Sequence, residues 1–243
     1  GLDHTQFLGN THQKIALEKA GIIKNGVPII IGEKDIKTES IFKDVSRKSN
    51  APLYFAKKNT KNFASDLKGF YQTKNIQTVI TALNHLPGFN FDKSIIKKGL
   101  KRVVENTGLK GRWQVLQNSP KVILDVGHNK EALRLIAKQI NEISYNKLYL
   151  VMGFIKEREV DSLVSLFPKE ANFYLSSPNI ERAMPLPTLK ILLKPLNLKI
   201  NYFKSIPIAY QMAVSNSDTD DLIFVTGSTF VVADILEYLK SKN

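Results

Sequence analysis

Apolar and polar positions alternate in two periods along this chain, and the switch between them marks its elements. A run of helical spacing begins after Asn10 or Thr11, either of which can cap it, and ends near Ala20 with Gly21 as the stop. Val27-Pro-Ile-Ile-Ile reads as a buried strand followed by Gly32. A helix over about Glu39 to Lys48 and a strand over Leu53 to Ala56 come next. Ile76, Val79, Ile80 and Leu83 share one face of a helix from Gln72 to Leu86, closed by Pro87-Gly88. Ile95, Ile96, Leu100 and Val103 predict a single amphipathic helix over Asp92 to Val103.

After Asn106-Thr107-Gly108 the pattern changes to short apolar runs separated by helical stretches. Val122–Leu124, Leu148–Met152, Phe173–Leu175, Ile200–Phe203 and Leu222–Val225 read as strands. Helices are expected over Glu131 to Ile143, about Val160 to Leu166 and about Phe230 to Lys240, with others in the remaining gaps. This alternation predicts an α/β fold, a parallel sheet covered by helices on both faces. A domain boundary is expected near Gly108 to Gly111. The part before it offers too few strands for a sheet of its own and reads as the tail of a larger domain.

Composition narrows the class. Hydrophobic residues at 43% and charged residues at 23% exclude a mostly disordered, collagen-like or coiled-coil chain. No apolar run approaches the roughly 20 residues that cross a bilayer. GLDHTQFLGN lacks the basic start and apolar middle of a secretory leader, and the chain has no cysteine, which predicts a reducing, cytoplasmic setting. The formal net charge of +13 favours anionic partners, or reflects a lysine-rich solvated surface. The excess is spread along the chain, with no basic helix or aromatic-and-basic ladder, so no nucleic-acid partner is expected.

Ligands in open α/β sheets bind beyond the carboxyl ends of strands, and two such ends carry polar residues. In Leu124-Asp125-Val126-Gly127-His128-Asn129, Asp125 could accept hydrogen bonds from ribose hydroxyls and His128 could donate to an anion. Alternatively, Asp125 bonds local backbone amides and Asn129 caps the next helix. In Val225-Thr226-Gly227-Ser228-Thr229, Gly227 allows close approach to a ligand, or Ser228 is only an N-cap. Arg112 could grip phosphate oxygens in forked geometry, or lie on the surface beside Trp113. Asp3-His4 is too little to define a metal site by itself. Lys19 either complements its helix dipole or carries a carbamate that binds metal. No phosphate loop of the G-x-x-x-x-G-K-[ST] type is present.

Taken in order, these segments resemble folylpolyglutamate synthase/dihydrofolate synthase of the Mur ligase superfamily. Gly1-Leu-Asp-His4-Thr, Leu8-Gly9-Asn10-Thr11 and Glu18-Lys19-Ala20-Gly21-Ile22 are similar to its central-domain signature. Gly111-Arg112-Trp113-Gln114 is similar to G-R-[FW]-[QE], the Leu124–Asn129 run to L-D-G-A-H-N, and Arg182-Ala183-Met184-Pro185 to R-A-L-P. Glu157-Arg158-Glu159 resembles a variant of G-x-x-x-D-K-D, and Gly227-Ser228 the closing G-S. Tyr71 departs from the family's usual His before Gln72.

The resemblance implies an ATP-dependent ligase that adds L-glutamate to a folate or dihydropteroate carboxylate through an acyl phosphate. It implies a Rossmann-like C-terminal glutamate ligase domain over 110–243, preceded over 1–109 by the latter part of a P-loop-type central ATPase domain. Site by site, it makes His4 a magnesium (Mg2+) ligand and Lys19 a carbamylated catalytic lysine. Asn75 falls near the nucleotide, Arg112 on ATP phosphates, Asp125 at the ribose or shaping the glutamate site, and His128 and Ser228 on the glutamate side. It further implies a fragment lacking the phosphate loop and inactive alone, from a monomeric parent. Such a fragment would self-associate or pair with the missing amino-terminal part, and would have no membrane partner. The rival readings are a peptidoglycan Mur ligase, a basic nucleic-acid-binding module and a partner-binding domain without catalysis.

Overall fold

The computed structural model describes residues 11–57, 63–156 and 158–242. The chain divides into two compact units. One comprises the residues through Asp66 together with Tyr71–Gly108; the other comprises Leu67–Phe70 and Leu109 onward.

In the first unit, helix α1 (His12–Ala20) starts at Thr11, whose side chain accepts a hydrogen bond from the Lys14 N–H at 3.2 Å. Strand β1 (Ile29–Ile31) begins only after Pro28, which has no N–H to give a ladder. Helix α2 (Glu39–Lys48) carries the crossover to β2 (Leu53–Phe55), and the strands pair in parallel with Ile29 opposite Leu53. Helix α3 (Gln72–Asn84) follows. The single helix expected over Asp92 to Val103 is two: α4 (Lys93–Leu100) and α5 (Val103–Thr107). Asp92 caps the first, and Arg102 leaves helical geometry (φ −129°, ψ 32°) where the second begins. Gly108, at φ +64°, closes α5 in the left-handed conformation that glycine adopts without steric cost.

The second unit is a three-layer α/β structure. Its strands are β3 (Gln114–Asn118), β4 (Lys121–Leu124), β5 (Leu148–Met152), β6 (Asn172–Leu175), β7 (Ile200–Tyr202) and β8 (Leu222–Thr226). Their order in the sheet is β3-β4-β8-β5-β6-β7. Only β3 is antiparallel to its neighbour. The helices are α6 (Lys130–Ile140), α7 (Val160–Val164), α8 (Leu186–Leu193), α9 (Ile206–Ser215) and α10 (Thr229–Lys240).

The period-two patterning sorts the strand residues between two cores. Ile123, Leu150, Met152, Phe173 and Phe224 face α6, α7 and α8. Leu124, Tyr149, Val151, Tyr174 and Val225 face α9 and α10. β5 and β8 are buried at every position, because strands covered on both faces leave no solvated side. Each large side chain removed from water in this way contributes about 1.5–3 kcal/mol. Helices α6 to α8 link successive strands running one way across the sheet. The chain then returns through α9 to insert β8 between β4 and β5. The carboxyl ends of β4, β8 and β5 therefore lie side by side. Among the described residues, no helix is long and apolar enough to cross a membrane.

Candidate functional site

The site is assembled from backbone first. At the end of β4, the Asp125 N–H donates to the Val225 carbonyl of β8. Val126 N–H then donates at 2.9 Å to the carbonyl of Gly111, in the segment that leads into β3. Gly111 sits at φ +68°, and a Cβ there would come within 2.7 Å of Val126 Cγ1 and 3.0 Å of Val232 Cγ1. Trp113 is also left-handed, at φ +49°, a conformation that non-glycine residues adopt only when something holds them. Asp125 supplies that hold: its Oδ2 accepts from the Trp113 N–H at 2.8 Å, while Oδ1 accepts from the Gly127 N–H at 2.9 Å. The Trp113 indole is buried against Phe224, ring centroids 5.1 Å apart. Arg112 lies between these two left-handed residues and is exposed.

Asp125 is only 1% exposed. Of the two readings open from sequence, the structure shows the bonding of local amides, with the carboxylate buried beside the turn that carries Arg112. Asn129 caps α6, accepting from the Ala132 N–H at 2.9 Å. Between them stands His128, half-buried, its Nδ1 3.0 Å from the Val126 carbonyl oxygen. A carbonyl can only accept, so Nδ1 carries the proton. In the neutral ring, Nε2 is then the acceptor nitrogen, suited to taking a proton or meeting a cationic group.

The second polar strand end joins the first through backbone. Gly227 N–H donates to the Gly127 carbonyl at 3.0 Å, and the Thr226 hydroxyl donates to the same oxygen at 3.1 Å. Ser228 caps α10, accepting from the Phe230 N–H at 3.2 Å, and is 5% exposed. It therefore fills the N-cap role. Ser228→Ala is expected to lower the stability of the second unit by about 1 kcal/mol, read as a shift of the urea midpoint.

Two further strand ends complete the tip. After β5, the Phe154 carbonyl accepts from Met184 N–H at 2.8 Å and Ile155 bridges Ala183 antiparallel, which seats the Arg182-Ala-Met-Pro motif. The Arg182 guanidinium stands 5.6 Å from the centre of the Phe230 ring. After β6, Asn179 N–H donates to Asp234 of α10 at 3.1 Å. Burial pushes the Asp234 carboxyl above its ordinary range, against the pull of that N–H.

The structure thus brings Arg112, Asp125, His128 and Ser228 to one end of one sheet. Lys19 and Asn75 belong to the first unit. Lys19 is exposed in the last turn of α1, and Asn75 is exposed near the start of α3, its side-chain amide donating to Gln72 at 2.8 Å. His4 and Glu157 lie outside the described residues. Sequence reasoning missed the structural parts played by Gly153, where a Cβ would stand 2.6 Å from the Ser176 carbonyl oxygen, by Thr226 and by the left-handed Trp113. The isolated Gly153 directly after an all-apolar strand was the available signal for the first.

A mostly parallel sheet with a Gly-Arg-Trp turn and an Asp-x-Gly-His-Asn tip defines a class. Residues 111–229 match the family model described as Mur ligase, glutamate ligase domain. The chain is 30% identical, over 97% of its length, to dihydrofolate synthase/folylpolyglutamate synthase of Buchnera aphidicola subsp. Schizaphis graminum, and spans 59% of that protein. It is 25% identical, over 99% of its length, to the Escherichia coli K12 protein of the same name, spanning 58% of it. The resemblance read from the ordered motifs is borne out.

Solved structures carry the same fold. Escherichia coli FolC in complex with DHPP and ADP superposes with a TM-score of 0.83 at 23% identity, covering 100% of this chain and 60% of that one. Mycobacterium tuberculosis folylpolyglutamate synthase complexed with ADP gives 0.83 at 18% identity, covering 98% of this chain and 61% of that one.

Proposed function

We propose that this chain is the latter part of a cytoplasmic ATP-dependent ligase that joins L-glutamate to a folate or dihydropteroate carboxylate. In this reading residues 1–109 belong to the central ATPase domain and 110–243 form the glutamate ligase domain. The observation that carries it is the shared sheet end, where an exposed arginine, an imidazole and a capped helix start are gathered, with one buried carboxylate bonding the backbone beside the first two. The similarity to dihydrofolate synthase/folylpolyglutamate synthase over nearly the whole chain supports the substrate class.

Each residue then has a task. The acceptor carboxylate attacks the γ-phosphate of ATP and releases ADP, leaving an acyl phosphate. The Arg112 guanidinium offers paired donors to the phosphate oxygens as their charge shifts. The amino group of L-glutamate attacks the acyl carbon and phosphate leaves. That amine must first lose a proton, and His128 Nε2 is the acceptor nitrogen on the glutamate side. Ser228 and the start of α10 face the same end, and Asn75 serves the nucleotide.

The metal assignments stand apart. Among the described residues no group of three or more His, Asp or Glu side chains converges as a divalent cation requires. The magnesium role falls to His4, outside those residues, and to a carbamate on the exposed Lys19.

The test is incorporation of labelled L-glutamate by the longer protein that carries this chain, offered dihydropteroate, folate or a uridine-diphosphate peptide as acceptor. Folate-class acceptors are expected to be extended, and His128→Ala to slow the reaction by about 10²–10⁴-fold. Extension of the peptide alone would leave the ligase class standing and overturn the folate assignment. Folate-dependent ATP consumption by the purified 243-residue chain would overturn the fragment reading.

A further inference from the structure

Helix α6 buries an apolar stripe of Leu133, Ile136, Ala137 and Ile140 against the sheet, yet Gln139 beside it is also buried, at 8% exposure. A glutamine amide removed from water must find partners for its oxygen and its NH₂ group. Gln139 finds both on one short segment. Its Oε1 accepts from the Phe70 N–H at 2.8 Å, and its Nε2 donates to the Lys68 carbonyl at 2.8 Å. In an extended chain the carbonyl of one residue and the N–H of the residue two further on point to the same side. The side-chain amide thus occupies the place a neighbouring strand would take, with Gly69 buried between the two bonded residues.

The segment held this way is unusual in its connections. Leu67–Phe70 packs as part of the second unit, whereas the chain up to Asp66 and from Tyr71 packs in the first. The chain therefore passes between units at Asp66–Leu67 and Phe70–Tyr71 as well as at Gly108–Leu109. We propose that Gln139 is a latch that holds Leu67–Phe70 on the second unit, making this segment a second, releasable tether between the two units. The tether leads directly into α3, which starts at Gln72 and carries Asn75. With the latch closed, the amino end of α3 is anchored to the second unit within two residues of Phe70. The latch depends on no assignment of catalytic chemistry.

The test uses the chain itself. Gln139→Leu keeps the bulk of the side chain and removes both hydrogen bonds. Gln139→Glu keeps the shape and the acceptor for Phe70 and loses the donor to Lys68. Both are compared with the parent chain by hydrogen–deuterium exchange and by the rate of tryptic cleavage at Lys68.

In Gln139→Leu, amides of the 67–70 segment are expected to exchange about tenfold faster, the factor that corresponds to losing a hydrogen bond of ordinary net strength. Cleavage after Lys68 is expected to rise in both variants while β5 and β8 keep their protection. Unchanged exchange and cleavage at 67–70 would overturn the latch. So would loss of protection spread equally through β5 and β8, which would make Gln139 one more contributor to the stability of its own unit. Should the leucine variant fail to fold, Gln139→Glu decides by the same two readings.

Discussion

Gly227→Ala is expected to destabilise the second unit by about 3–5 kcal/mol, enough to leave a large share of the protein unfolded at that end. Two independent costs meet at this position. Gly227 sits at φ +101°, where an L-side chain is strained whatever the space around it. A Cβ would also lie 2.7 Å from the carbonyl oxygen of Gly153 and 3.4 Å from Phe154 Cε1. The first of these atoms is backbone, and it has nowhere to retreat. A Cβ on Gly153 would itself stand 2.6 Å from the Ser176 carbonyl oxygen. The ends of β8, β5 and β6 are thus stacked backbone on backbone, and a shift at one is blocked by the next. The measurement is urea unfolding followed by tryptophan fluorescence. Trp113 is the single tryptophan of the chain and is buried against Phe224, so the signal reports this unit. A stability loss below about 1 kcal/mol would mean that the strand ends can part without cost, and that the tip is less rigid than its contacts imply.

The strongest hydrophobic patterns translated directly into elements. Leu148–Met152 and Glu39–Lys48 have the bounds their patterning predicted, because a continuous apolar run and a strongly amphipathic stretch each have one low-energy arrangement. β3 was illegible for a physical reason. It is an edge strand, mostly exposed, and its pairing with β4 shifts register between Val115 and Gln117, which breaks the alternation a reader counts on. The break at Arg102 was hidden because Ile96, Leu100 and Val103 keep helical spacing straight across it.

The site was legible as residue types and not as roles. Asp125 and Ser228 stand at strand ends as expected, yet their oxygens serve backbone amides. That choice depends on where Trp113 and Phe230 bring their N–H groups, which no local spacing encodes. Gln139 carried no signal at all. A lone glutamine in an amphipathic helix reads as solvated until the segment it binds, some seventy positions earlier in the chain, is placed against it.

Replacing the Asp125 carboxylate separates a residue that contacts ligand from one that positions its neighbours. Asp125→Ala leaves the N–H groups of Trp113 and Gly127 buried without acceptors, each costing about 1–3 kcal/mol, so a loss of roughly 2–6 kcal/mol is expected. Asp125→Asn has nearly the same shape but keeps one acceptor oxygen and turns an NH₂ group toward the other N–H. Its expected loss is smaller, about 1–3 kcal/mol. In both variants the left-handed Trp113 loses its restraint, so its emission should shift to the red in the folded state as the indole gains solvent. Arg112, one residue away, loses its fixed exit from the turn. If Arg112 serves ATP as proposed, weakened use of ATP accompanies lowered stability, and the two losses should run in parallel from Asn to Ala. A carboxylate that only touched ribose would give a different pattern, with affinity falling while the urea midpoint and the Trp113 emission stayed where they were. That pattern would return Asp125 to the direct contact that its burial argues against.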